Sequence, residues 1–401
     1  MTEYLLNLFD PAVQSDPYGS YAEMRELGSV LWNPLMSAWM VWPYDDVLGI
    51  LKDPDTYSSA TMRQRGLEQA RARGETEDNF GAPTMLNSDP PDHDRYRGVV
   101  ARAFTPRAVT AQEPTLRRLA QELVQPLSRG DSVEIVRLLS SPLPVLAIAA
   151  MLGVENTDID SFREWSDAFV TAGDLPTEEE VVRSRDASSS LRAYFDAEIG
   201  RRRGGGGGDD LLARLVEANE GGVLDDAELL ASCVLLLVAG NETTTNLIGN
   251  GALALMHNPA QLEMLRREPA MLPRAIEEML RYDGPVQSTA RFPKSAVKLV
   301  DAEIPAGSIV VVVIAAANRD PAQFPDPERF DITRDPNDHL AFGEGIHFCI
   351  GAPLARMEAN IAFSAMFERF ARLRLRDPDA KLNYKGSYFL RGLDSLKVAL
   401  D

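Results

Sequence analysis

A mainly α-helical fold with a minor β part is what the sequence predicts, and three observations carry that expectation. Apolar residues recur at helical spacing between Pro and Gly punctuation over most of the 401 residues. One such run continues unbroken from Asp225 to Asn258-Pro259. Strand-like stretches are few: "SAWMVWP" near the start, then "STARF", "VKLV" and "SIVVVVIAAAN" after Val286.

Taken in order, the first residues, "MTEYLLNLFDPAVQSDPYGS", have no basic leader and no apolar core before a small-residue cleavage site. They do not read as a secretory signal or membrane anchor, so a cytoplasmic location and no membrane association are expected. The charged stretch Thr61 to Leu86 reads as a loop, either an access gate or solvated surface. Between Asp94 and Arg118 six arginines face two acids, a local net of +4 (six minus two) on a chain of net charge -19. The run "RRRGGGGGDD", Arg201 to Asp210, cannot hold a helix and reads as a flexible connector. It could instead divide two domains, but no later segment looks able to fold alone, so residues 1–401 are expected to form a single domain.

The helix beginning after Asp225 is the clearest element. Asp225 with Glu228 three residues on makes a capping box, and about 31 residues at the α-helical rise span roughly 46 Å. Within it "LLASCVLLLVAG", Leu229 to Gly240, is 12 apolar-rich residues leading into "NETTTN", too short and too polar-ended for a bilayer span. Gly240 and three consecutive threonines are poor helix formers, and an acid sits among apolar residues. That pattern predicts a local opening where a ligand approaches the backbone.

Composition excludes several classes. With 45% apolar and 25% charged residues the chain is globular and large enough for a sizeable core. The acidic balance argues against nucleic-acid binding, which needs a basic surface to displace counterions. Two cysteines make neither a disulfide framework nor a zinc site, and a reducing compartment fits. Cys233 lies in the apolar helical run and reads as a small buried hydrophobe. Cys349 differs. It stands in "HLAFGEGIHFCIGAPLARMEA" among Gly343, Gly345 and Gly351, just before a new helix. Amide groups of a tight loop and the positive end of a helix would both favour a thiolate there.

Two charged pairs recur near these segments. His93 and Arg97 of "HDRYR" are four apart and share a helix face, and Glu278 and Arg281 of "EEMLR" are three apart. Either pair alone would read as solvated surface or as an ordinary salt bridge.

The segment "FGEGIHFCIG" resembles the heme-binding loop of the cytochrome P450 family, whose Phe-Gly-x-Gly-x-His-x-Cys-x-Gly pattern falls on Phe342, Gly343, Gly345, His347, Cys349 and Gly351. The resemblance spans roughly Phe9 to Leu400, with four motifs in family order. It implies the P450 fold, with a long central helix over the heme and small β-sheets at one side. It implies heme b (iron protoporphyrin IX), with Cys349 as the proximal iron ligand and Phe342 packed near the thiolate side. It assigns His93, Arg97, Arg291 and His347 to the propionates, with Gly343, Gly351, Ala239 and Gly240 beside the cofactor.

By the same resemblance, "AGNET" is the oxygen-binding sequence of small residue, Gly, any residue, acid, Thr. Glu242 and Thr243 would then be the catalytic pair that delivers protons, with Glu where many members carry Asp. Glu278 and Arg281, with Arg329 of "FPDPERF", would form a structural charge network behind the cysteine loop. Substrate contacts are expected from Met85, Leu86, Phe169, Val170, Leu236, Val286, Gln287, Tyr388, Phe389 and Leu390, a mainly apolar set suited to a hydrophobic or amphipathic molecule.

The implied activity is monooxygenation: hydroxylation, epoxidation or oxidative dealkylation with one atom of O2, in secondary metabolism or catabolism. No flavin or iron-sulfur segment accompanies these motifs, so electrons would come from a ferredoxin and a ferredoxin reductase. An acidic ferredoxin would dock on Arg95, Arg102, Arg107 and Arg117 of a monomeric protein. A peroxide-using or isomerising heme-thiolate enzyme would not need the Glu242-Thr243 pair, and a non-catalytic heme sensor would need only Cys349 and the propionate contacts.

Overall fold

Asp225 starts the element around which everything else is arranged. Its side chain accepts from the Glu228 amide and the Glu228 carboxylate returns to the Asp225 amide, which closes the expected capping box. The helix Asp226–His257 then runs 32 residues to Asn258, where Pro259 opens the next helix. The computed structural model in which it is seen describes residues 6–400 apart from 9, 73–81, 129, 131, 155–158, 172–176, 204–207, 209, 371 and 386.

The expected opening at "AGNETTT" does not occur: the helix is continuous, and the Thr243 hydroxyl bonds back to the Ala239 carbonyl at 3.0 Å. Tertiary packing outweighs local propensity here. The helix is apolar and long enough to cross a membrane by length and composition, and in this fold that surface packs on helices Pro142–Leu152, Leu272–Asp283, Ile159–Thr171 and Ala352–Arg369. These contacts form the main core, in which Leu229, Leu237, Ile248 and Leu255 are at most 1% exposed.

The β part lies apart from that core. A five-stranded sheet has the order Val30–Asn33, Ala38–Val41, Ile309–Val312, Thr289–Pro293, Tyr57–Ser58, with Ala38–Val41 parallel to Ile309–Val312 and the other pairs antiparallel. Alternation splits its side chains: Trp39, Val41, Val310 and Val312 enter one apolar cluster, Met40, Val311 and Val313 the opposite one. "VKLV" forms a two-stranded ribbon, Val297–Leu299 with Ala302–Ile304. "SIVVVVIAAAN" is strand only to Val312. Its alanines, the best helix formers and without β-branching, turn helical at Ile314–Ala317.

Two further expectations are corrected. Thr61–Ala72 is a helix rather than a loop, as its Arg, Gln, Leu, Glu and Ala content favours; residues 73–81 of the expected gate lie outside the described residues. The connector expected from Arg201 starts later, since Arg201–Arg203 still belong to helix Glu178–Arg203; residues 204–207 and 209 lie outside the described residues, and Asp210 caps the next helix, Leu211–Glu220.

The buried charge network differs from expectation in one member. Glu278 and Arg281 are wholly buried and meet in a two-pronged pair, both contacts at 2.8 Å. Arg281 also donates to the carbonyls of Asn318, Pro327 and Arg329, and Glu278 accepts from the Asp331 amide, Asn337 and Arg334. Arg329 therefore contributes its backbone, not its guanidinium, which is 63% exposed and pairs with Asp331 at 3.6 Å. The turn closed by the Arg329 amide on the Asp326 carbonyl aims its carbonyls inward and sends the Arg329 side chain out. Arg334, 10% exposed and 3.2 Å from Glu278, fills the expected place.

Candidate functional site

Cys349 sits on a loop that only glycine can close. Gly343 and Gly345 are left-handed, at φ 68° and 70°, and a Cβ on Gly345 would lie 2.5 Å from the Leu51 carbonyl oxygen at the end of helix Tyr44–Lys52. The Gly343 amide bonds to Leu340 and the Cys349 amide to Phe342, at 2.8 and 2.9 Å. Gly351 is different: its φ is -81° and a Cβ would meet the Cys349 sulfur at an ordinary 3.8 Å, so its backbone does not demand glycine.

Burial pushes the Cys349 thiol up, against the amides of Gly351 and Ala352 and the charges of Arg97 and Arg356, which pull it down. Ala352 opens helix Ala352–Arg369, as expected. A thiolate at this depth calls for a strong counter-charge, which a metal ion supplies. Cys233, fully buried, has its thiol pushed up to about 12 by burial, against the weaker pull of the Arg202 charge, and is core.

Beside the loop, hydrogen-bond donors converge, and two buried ring nitrogens among them lack a partner among the described residues. His93 is 1% exposed, with Nδ1 on Asp94 at 2.9 Å and Nε2 unpartnered. His347 Nε2 is likewise buried and unpartnered, and the two rings lie 4.6 Å apart. Arg291, from the strand Thr289–Pro293, is 8% exposed and, among the described residues, donates to the neighbouring Thr289 hydroxyl and Ala290 carbonyl. Burial brings its pKa down to about 10, and brings His347 to about 3 with help from the field of Arg291. Arg97 donates to the Phe348 carbonyl at 2.8 Å. Asp89, whose field reaches Arg291 and His347, is held by the Ser59 amide and Lys294. Buried polar groups without partners are costly, and two carboxylates of the kind heme carries would satisfy this set. The residues present therefore fit that cofactor.

The central helix presents an unusual face. Ala239 is exposed in mid-helix, and Leu235 and Thr243, one turn to either side, are only half-buried, whereas Asn241, Glu242, Thr244 and Thr245 are buried. Open space thus borders the Leu235-Ala239-Thr243 stripe, with Gly240 half-buried beside it. Glu242 faces away from it. Its Oε1 accepts from Lys385 Nζ at 2.6 Å, and its Oε2 is buried and unpartnered.

Lys385 is absent from the sequence reading, as is Glu358, a fully buried acid that accepts from Thr244 and whose pKa burial raises to about 8. The signal for Glu358 was an acid inside the apolar helix that follows Cys349. Nothing local marked Lys385.

The expected substrate residues separate into groups. Val286 bridges Leu390, the Gln287 amide bonds to the Phe389 carbonyl, and the Ser288 hydroxyl to the Tyr388 carbonyl, so Val286 and the half-buried Tyr388, Phe389 and Leu390 form one ledge. Met85 packs on the main core and Leu86 is 63% exposed. The Gln287 side chain is 2% exposed and spent on Gly284 and Tyr21, and Leu236 is 5% exposed in the core. For both, a substrate role is corrected to a packing role. Leu235, one helical step of 100° away, takes the place expected of Leu236. Phe169 and Val170 lie on helix Ile159–Thr171, but their side chains fall outside the described residues.

The arginine patch is likewise narrower than expected. Arg95 grips Glu228 at 2.7 and 2.8 Å and pulls that carboxyl down to about 2, joining helix Asp92–Ala101 to the start of the central helix. Arg117 pairs with Glu113 at 2.7 Å. Arg102 and Arg107 are exposed and outside any ion pair among the described residues.

Known proteins are similar to this chain in sequence and fold. The family model described as Cytochrome P450 matches residues 201–398. The chain is 41% identical over 396 residues to Cytochrome P450 107B1 of Saccharopolyspora erythraea, covering 97% of this chain and 96% of that one. It is 38% identical over 394 residues to the 6-deoxyerythronolide B hydroxylase of the same organism, covering 96% of each. The crystal structure of CYP109E1 from Bacillus megaterium in complex with testosterone superposes with a TM-score of 0.86 at 37% identity, over 98% of this chain and 100% of that one.

Proposed function

The chain belongs to the cytochrome P450 family of heme monooxygenases, and from that premise we propose that Cys349 would hold the heme iron through its sulfur and that the protein hydroxylates an apolar small molecule in secondary metabolism. The observation that carries this reading is the buried donor set of His93, His347 and Arg291 beside the Cys349 loop, in which both imidazole Nε2 atoms lack a partner among the described residues. Heme held there supplies dioxygen binding and reductive cleavage of the O–O bond, which an axial thiolate favours.

The chain's own residues do the rest. Arg291, Arg97, His93 and His347 hold the propionates. Thr243 Oγ1, now on the Ala239 carbonyl, turns to donate into the open space beside Ala239. Its proton is replaced through Glu242, whose unpartnered Oε2 is free to receive one while Lys385 holds Oε1. Leu235, Val286 and Phe389 present apolar surface to the substrate and exclude water. The balance is R–H + O2 + 2e⁻ + 2H⁺ giving R–OH + H2O. Electrons come from an acidic ferredoxin that its own reductase reduces, and the ferredoxin docks on Arg102 and Arg107 of a cytoplasmic monomer. The whole chain works as one domain, a reading supported by the packing of helix Glu178–Arg203, before the glycine run, on the central helix after it.

Apolar compounds that shift the ferric spectrum from low to high spin identify substrates. With ferredoxin, reductase, NAD(P)H and ¹⁸O-labelled O2, each product molecule is expected to carry one labelled atom. Product without label, or product only with added peroxide, would overturn the monooxygenase reading for this chain.

A further inference from the structure

Behind the cysteine loop, a second set of charges converges on the Phe342 ring. Arg356, on the helix that follows Cys349, lies with its guanidinium carbon 4.5 Å from the Phe342 centroid. Both of its prongs are held by Glu277, Nε on Oε1 and Nη2 on Oε2, each at 2.7 Å. Glu277 also receives His339 Nε2 at 3.1 Å, while His339 Nδ1 accepts the Ala341 amide at 3.2 Å. That amide fixes the ring as the Nε2–H tautomer, a neutral donor, so the carboxylate charge of Glu277 is left to face Arg356. The His339 side chain is 3% exposed.

Three parts of the chain thus meet at one ring: helix Leu272–Asp283 through Glu277, the loop through His339 and Phe342, and helix Ala352–Arg369 through Arg356. Phe342 in turn accepts the Cys349 amide through its carbonyl. A half-exposed ion pair contributes little to stability by itself. A guanidinium held at two points over an aromatic ring is instead a fixed positive charge, and here the ring belongs to the residue whose carbonyl accepts the Cys349 amide.

We propose that Arg356, held by Glu277, which His339 also engages, is a positioning residue that raises the heme reduction potential by fixing a cation over Phe342, the residue whose carbonyl accepts the Cys349 amide. The inference rests on the proposed ligation by Cys349. A nearby positive charge favours the state that has gained an electron, so its loss must favour the ferric state.

The test is the midpoint potential of the heme-loaded protein for wild type, Arg356→Met and Arg356→Lys, together with the reduced carbon monoxide spectrum of each. Methionine keeps an apolar stem over Phe342 and removes the charge. The expected result is a shift of about tenfold in the equilibrium toward ferric, about 59 mV, for Arg356→Met, with at least half recovered in Arg356→Lys. Arg356→Gln serves in the same way if the methionine variant loses heme. An Arg356→Met or Arg356→Gln potential within twofold of wild type, with the red-shifted carbon monoxide band retained, would overturn the inference. So would equal shifts for the lysine and methionine variants, which would mark a purely structural role. A wild-type band without the red shift would instead refute the ligation itself.

Discussion

Replacing Glu278 with alanine is expected to cost about 3–5 kcal/mol of stability, because it leaves the Arg281 guanidinium charged and unpaired in the core. Glu278 and Arg281 are each at most 1% exposed, and Glu278 is the acceptor for Arg281, Arg334, Asn337 and the Asp331 amide together. For a protein of ordinary stability, about 5–15 kcal/mol, such a loss removes a large part of the whole. The variant should give little soluble, heme-containing protein. Arg334→Ala should cost part of that, since Arg281 keeps its partner. Arg329→Ala should stay within about 0.5 kcal/mol of wild type, as for an exposed side chain elsewhere on the surface. Denaturant midpoints of the three variants check the ranking. An Arg329→Ala loss as large as that of Glu278→Ala would mean that the guanidinium, not the carbonyl, completes the network.

Thr243→Ala is expected to separate electron use from product. Positioned proton transfer contributes about 10²–10⁴-fold in enzymes generally, and the Thr243 hydroxyl is the donor on the Ala239 face that borders open space. Product per NAD(P)H should fall by about tenfold or more, with peroxide rising to match, while NAD(P)H consumption changes far less. Lys385→Met should act differently. It leaves the Glu242 carboxylate, 2% exposed, without the ammonium that holds its Oε1, so the acid loses its fixed orientation and coupling falls less than in Thr243→Ala, where the donor itself is gone. Product, peroxide and NAD(P)H measured together for the two variants check that order. Full coupling in Thr243→Ala would remove this hydroxyl from the proton path.

What could be read from sequence was what local chemistry determines. The Asp225-Glu228 box announced the central helix because both halves of a capping box lie within one turn. The glycines around Cys349 announce a tight loop because left-handed backbone favours glycine, which Gly343 and Gly345 bear out and Gly351 does not. Strands of three residues such as Ser132–Glu134 and Leu373–Leu375 went unseen, being too short to show alternation.

Errors in the site have equally physical origins. Leu236 and Leu235 differ by one 100° step, which periodicity in a nearly all-apolar run does not resolve. Arg329 and Arg334 differ in which way a turn points its carbonyls. Lys385 reaches Glu242 from 143 residues away, in a segment with no regular pattern, so only the folded chain brings the two together. "AGNETTT" suggested a break in the helix because propensity was weighed without the packing that holds it straight.

Thiolate ligation of heme iron by Cys349 is the claim on which the functional account turns. The reduced protein under carbon monoxide tests it most directly. A strongly red-shifted Soret band in wild type, lost in Cys349→Ala and kept in Cys233→Ala, is the predicted result. A wild-type band without that shift, or one that survives removal of Cys349, would contradict it.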